Sequence, residues 1–80
     1  MNRDASYYLG LSYGRVWEWH EDDSEPYWVV RLVEIPAVVG DGGTRAEAEA
    51  ALRECLADYV RYRQAEGLTI PEPVPHAAAG

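Results

Sequence analysis

The sequence predicts an α+β domain, in which a three-stranded (or slightly larger) antiparallel sheet carries one main helix on one face and an extended segment comes after the helix. Three observations predict this fold. Two stretches rich in aromatic and β-branched residues flank a short polar segment, a capping box opens a long stretch with helical spacing of apolar residues, and prolines dominate residues 71–75 beyond that stretch. The length of 80 residues allows one domain.

The N-terminal residues 1–12 are expected to form an arm or a short helix, because Tyr7, Tyr8 and Leu9 precede a glycine. The domain proper is expected to span residues 13–75. Residues 76–80, which are mostly alanine, are expected to form a flexible tail.

Two strands, over residues 15–20 and 27–35, are predicted to form a β-hairpin. Alternation places Trp17 and Trp19 on one face of the first strand. The six residues between the strands include four acids and are expected to lie in solvent. Pro36 is expected to end the second strand, because proline cannot donate a hydrogen bond to a ladder.

The remaining elements lie close together along the chain. A third strand is predicted at residues 37–39, and the glycine-rich residues 40–43 are predicted to be a loop with unusual backbone angles. The helix begins with a capping box at residues 44–47 and is expected to stop at Gly67. On its exposed side, Glu49 and Arg53 are spaced to form an i,i+4 ion pair, and on its apolar side Cys55 is expected to be a small buried hydrophobe.

Composition favours a cytoplasmic protein with a basic partner. The formal charge is −7 and all seven basic residues are arginine, so the chain repels phosphate backbones and direct binding of nucleic acid is not expected. No apolar stretch is long enough for a signal peptide or a membrane span. The single cysteine excludes a disulfide within the chain.

The chemistry-bearing residues do not predict an enzyme. His20 and His76 are the only imidazoles, at the end of a strand and in the tail, and neither is spaced to serve a nucleophile. The acids near His20 could in principle hold a hard cation, but their spacing matches no calcium loop, and adjacent carboxylates on a turn point in different directions. We therefore expect no catalytic residues, no metal site and no cofactor.

A resemblance to a known family extends from Tyr27 to Pro73. It is carried by the order of four motifs, which are Val33-Glu34-Ile35-Pro36, the glycine turn of residues 40–43, Thr44-Arg45-Ala46-Glu47-Ala48 at the helix start, and Gly67-Leu68-Thr69-Ile70-Pro71-Glu72-Pro73. In this order and spacing, the chain resembles the HicB-like antitoxin domain. Full members of that family often carry a C-terminal DNA-binding module, for which the residues up to Gly80 leave no room, so we expect a short form without that module.

The resemblance implies a truncated RNase H-like fold without the nuclease carboxylates, assembly into dimers or tetramers, and neutralisation of a small basic HicA-type mRNA interferase toxin. Two other functions stay open at this stage. One is an orphan homo-oligomeric scaffold or small-ligand-binding domain, and the other is a nuclease relic that would need metal held by Asp22 and Asp23.

The candidate functional residues are therefore interface residues. The candidate anchors are Trp17, Trp19 and Trp28, since tryptophan is enriched at interface hot spots. The candidate partners for basic groups are Glu18, Glu21, Asp22, Asp23 and Glu25. Ordinary core packing is the alternative for the tryptophans, and a solvated acidic turn is the alternative for the acids.

Overall fold

The computed structural model describes residues 3–21 and 25–73. In chain order, the elements are α1 (Ala5–Leu9), β1 (Arg15–His20), β2 (Tyr27–Leu32), β3 (Val39–Gly42) and α2 (Arg45–Ala65). The strands form one antiparallel sheet in the order β1-β2-β3, and α2 packs across β2 and β3. This is the α+β arrangement that the sequence predicts.

The antiparallel register assigns every strand residue to one of two faces. Trp17 pairs with Val30, Trp19 with Trp28, and Val30 in turn with Gly40. Because side chains alternate along a strand, paired residues share a face. The helix-side face carries Arg15, Trp17, Trp19, Trp28, Val30, Leu32, Gly40 and Gly42. The opposite, open face carries Val16, Glu18, His20, Tyr27, Val29, Arg31, Val39 and Asp41.

The hydrophobic core lies between the helix-side face and α2. Its largest side chains without solvent exposure are Val30, Leu32, Val38, Leu52 and Val60. Aromatic and aliphatic side chains from the N-terminal segment and from the turn after β2 extend it toward the C-terminal end of α2; these are Tyr8, Tyr13 and Ile35. Such burial of apolar surface is the main stabilising term for a domain of this size.

Both predicted ends of α2 are confirmed. At its start, the Thr44 hydroxyl accepts from the Glu47 amide (3.1 Å) and the Glu47 carboxylate accepts from the Thr44 amide (3.2 Å). At its end, Gly67 has φ +70°, and the Leu68 amide donates to the Arg63 carbonyl (2.8 Å). This closes the helix as a Schellman motif, which satisfies two of the last carbonyls. Within the described ranges, neither helix has the combination of length and apolar character needed to cross a membrane.

The bounds predicted for the second and third strands are wrong. β2 ends at Leu32 instead of at residue 35, because the chain turns back over residues 35–38, where the Val38 amide donates to the Ile35 carbonyl (2.9 Å). The Leu32 amide donates to the Val38 carbonyl (3.1 Å), so the turn stays attached to the sheet. The third strand therefore begins at Val39 and runs through the residues that were expected to form a loop.

The glycines of that stretch do not have the unusual angles predicted for them. In the described residues, Gly67 is the only one with positive φ. Gly40 and Gly42 are instead required by a close approach of α2 to β3. A Cβ atom on Gly40 would lie 2.3 Å from the Leu52 nitrogen and 2.5 Å from the Ala48 carbonyl oxygen. Only glycine lets the two backbones approach this closely.

The N-terminal segment forms hydrogen bonds and an ion pair with the residues after α2. Arg3 forms an ion pair with Glu72 (3.1 Å), and the Tyr7 hydroxyl donates to the same carboxylate (3.3 Å). The Tyr13 hydroxyl donates to the Pro71 carbonyl (2.5 Å). The short α1 is thereby fixed against the C-terminal end of α2, and it covers that end of the core.

Candidate protein-binding surface

Three tryptophans meet on the helix-side face, at the end of the sheet nearest the β1–β2 turn. The Trp17 and Trp28 rings lie edge to face, with centroids 6.1 Å apart, and the Trp19 and Trp28 rings are tilted at 5.0 Å. Contacts of this kind add about 0.5–1.5 kcal/mol each beyond the area that they bury. We call Trp17, Trp19 and Trp28 the tryptophan cluster.

Arg45, the first residue of α2, covers part of the tryptophan cluster. Its guanidinium carbon lies 4.4 Å from the Trp17 ring centroid and 5.1 Å from that of Trp28. The capping box sets this position, because it starts α2 at Arg45 directly after β3. Sequence reasoning missed the contact. The capping box was the one signal that located Arg45 at the helix start, and no local pattern connects this position to a tryptophan in the first strand.

The tryptophans differ in how much surface they offer a partner. Trp17 and Trp28 are half-buried under Arg45, whereas Trp19 is 46% exposed. The Trp19 indole nitrogen donates to the Glu21 carboxylate (2.9 Å), which fixes the ring orientation and sets a negative charge beside it. Glu25, on the other side of the turn, is exposed. An exposed ring with one adjacent carboxylate is therefore available at this end of the molecule.

The structure does not bring Glu18 to the tryptophan cluster. Alternation directs it to the open face, where its carboxylate lies 3.1 Å from the His20 Nε2 and 3.5 Å from an Arg31 guanidinium nitrogen. The predicted acids are thus divided between two faces. Asp22 and Asp23 lie outside the described residues.

The helix-side face also carries an ion pair in which Glu49 has a different partner from the one predicted. Glu49 accepts two hydrogen bonds from Arg15, at 2.8 and 2.6 Å. The predicted ion pair between Glu49 and Arg53 does not form, because Arg53 donates to the Leu9 carbonyl instead (3.3 Å). The hydrogen bonds to Glu49 raise the pKa of Arg15. This pair joins β1 to α2, a contact between chain segments that helical spacing alone does not reveal.

The described residues offer little else for chemistry. Within them, no group of three or more His, Cys, Asp or Glu side chains is placed to hold a metal ion, and no charged or polar side chain is fully buried. Cys55 is half-buried against the core, less enclosed than expected. Burial raises the pKa of Tyr13 to about 12, with a further contribution from the nearby Glu72 carboxylate.

Neither a scan against protein-family models nor searches of curated proteins and of solved structures finds a match to this chain.

Proposed function

We propose that this chain is a protein-binding module of the HicB-like antitoxin type, which neutralises a small basic mRNA interferase of the HicA type. The observation that carries the proposal is Trp19, a half-exposed indole held by Glu21 at one end of a chain whose formal charge is −7. The sequence resemblance names the partner class, and the surface supplies a means of binding it.

The tryptophan cluster has the properties of an interface anchor. An exposed indole buries a large apolar area on binding, and residues of this type dominate binding energy when they are held in place. Here Trp28 supports Trp19 from one side, and Arg45 in turn holds Trp28. A ring that is already ordered in the free protein loses little conformational entropy when a partner covers it.

The charge supplies attraction to a basic partner. Glu21 is exposed and bonded to Trp19, Glu25 is exposed just before β2, and the sequence places two further acids between them. Negative groups at the rim of an interface accelerate encounter with a positive protein and make the association rate sensitive to salt. The indole would provide most of the affinity, and the acids would provide most of the steering.

The experiment is co-expression with a small basic protein encoded beside the gene, followed by titration calorimetry. We expect a stable complex whose Kd rises at least about thirtyfold for Trp19→Ala, the size of an interface hot spot. Glu21→Gln should mainly slow association, and more so at low salt. The matched control is Tyr62→Ala, an exposed aromatic near the other end of α2, which should leave the Kd unchanged.

Two results would contradict the proposal. One is the absence of a complex with any small basic protein encoded nearby. The other is a complex in which Trp19→Ala and Tyr62→Ala bind equally well, since the partner would then use another surface.

A further inference from the structure

The open face is an uncovered apolar and charged surface. Val16 is 44% exposed and Val39 is 37% exposed, although both lie within strands of the sheet. In the described part of the chain, α2 packs on the other face, and no helix or strand lies over this one. One side of a three-stranded sheet therefore remains available for contact.

The charges of the open face are arranged in two adjacent cross-strand rows. Strand pairing aligns Val16, Arg31 and Val39 in one row. The neighbouring row is Glu18, Val29 and Asp41. The first row is a positive charge between two valines, and the second is a valine between two negative charges.

The two rows are complementary to each other, so the face is complementary to itself. We propose that two copies of this chain pack open face to open face, with a two-fold axis that runs across the strands between the rows. Arg31 of each copy then lies over Val29 of the other, between the Glu18 and Asp41 carboxylates of that other copy. Each contact occurs twice, as an isologous interface requires.

A second copy fits this face better than the basic partner of the tryptophan cluster does. A second copy would place each Arg31 over a valine and between two carboxylates of the other copy, a match that depends on the order of both rows. Sheet-on-sheet packing would also add a second apolar layer to a domain too small to bury much of its own surface. The inference is independent of the proposed toxin binding, because Trp19 lies on the opposite face.

The dimension of the sheet sets the expected strength. Three strands about 4.8 Å apart make a narrow patch, smaller than the roughly 800 Å² that each partner contributes to a standard interface. We therefore expect a dimer with a Kd of about 1–100 µM. Sedimentation velocity of the wild-type chain should show a shift from monomer to dimer as its concentration rises through this range.

The first test is Val16→Glu, which introduces a carboxylate into the proposed interface and should raise the dimer Kd at least about tenfold. Tyr62→Glu is the control, because it adds the same charge at an exposed site on α2 and should leave the Kd unchanged. Trp19→Ala should also leave it unchanged. Circular dichroism verifies that each variant is folded.

The second test mixes two variants with opposite charges on the open face. The Glu18→Arg, Asp41→Arg double variant and the Arg31→Glu variant should each be monomeric, because like charges would meet across the interface. An equimolar mixture should form a heterodimer. A wild-type chain that is monomeric at every concentration, a dimer that Val16→Glu leaves intact, or two folded variants that do not associate would each overturn the proposal.

Discussion

The two faces of the sheet are built by the same three strands and behave in opposite ways. On the helix-side face, Val30 and Leu32 have no solvent exposure, and the glycines of β3 lie directly under α2. On the open face, the valines are partly exposed and alternate with charges. The difference shows that burial here is decided by where α2 lies, since both faces contain β-branched residues that suit a strand.

The ion pairs of the two faces differ in the same manner. Arg15 and Glu49 form two short hydrogen bonds, and their side chains are 24% and 31% exposed. Arg31 and Glu18 make one contact of 3.5 Å, with exposures of 40% and 45%. A bidentate pair that excludes some water is stronger than an exposed single contact.

The largest change in stability is expected for Gly40→Ala on the helix-side face. The added methyl group would overlap backbone atoms of α2, which cannot move aside as a side chain could, so we expect the free energy of unfolding to fall by about 4 kcal/mol. Urea unfolding measures the change. Gly10→Ala is the control: its added Cβ would meet atoms only at 3.6 Å, so it should change stability by less than about 0.5 kcal/mol, and a similar loss in both variants would contradict the steric explanation.

A second comparison truncates one aliphatic side chain on each side of the sheet. Leu52→Ala should cost about 3 kcal/mol of unfolding free energy, because Leu52 is fully buried and its removal leaves a cavity. Val16→Ala on the open face should cost less than about 1 kcal/mol at monomer concentrations. Thermal and urea unfolding should agree on this order, and equal losses would mean that the open face is covered in the monomer.

Double-mutant cycles compare the coupling energies of the ion pairs on the two faces. The Arg15–Glu49 coupling, measured with Arg15→Met and Glu49→Gln, should be about 1–2 kcal/mol. The Arg31–Glu18 coupling, measured with Arg31→Met and Glu18→Gln, should be no more than about 0.5 kcal/mol and should vanish in high salt. Equal couplings for the two pairs, at both low and high salt, would contradict this difference.

The last expected effect is on the pH dependence of stability. Burial raises the pKa of Tyr13 from 10.0 to about 12, so between these pH values the native chain retains a proton that the unfolded chain has lost. The contribution is therefore complete below pH 10 and is lost as pH rises toward 12. Tyr13→Phe should cost about 1 kcal/mol at neutral pH, through the lost hydrogen bond to Pro71, and should reduce the alkaline loss. Tyr62→Phe should behave like the wild type.

Local signals explain what the sequence could predict. The bounds of β1, the capping box at Thr44 and the stop at Gly67 each depend on a few neighbouring residues, and all three are confirmed. The alternation that separates Glu18 from Trp19 is equally local. These features require no knowledge of what packs against them.

The features that the sequence could not predict depend on contacts between distant segments of the chain. A glycine such as Gly40 can permit either a tight turn or the close approach of a helix, and the sequence does not distinguish the two. Only the position of the Leu52 backbone in the folded chain shows that the helix is the reason. Arg45 meets Trp17, and Arg15 meets Glu49, across separations that no periodicity describes. The exposure of Trp19, on which the candidate site depends, follows from where α2 begins.

The contact of Arg3 and Tyr7 with Glu72 has a practical consequence for handling the protein. The contact between Tyr13 and Pro71 lies just before β1 begins, about 20 Å along the strand direction from Trp19. A label attached beside this contact would thus leave Trp19 accessible. Immobilisation through this pole would present Trp19 to solution in a uniform orientation.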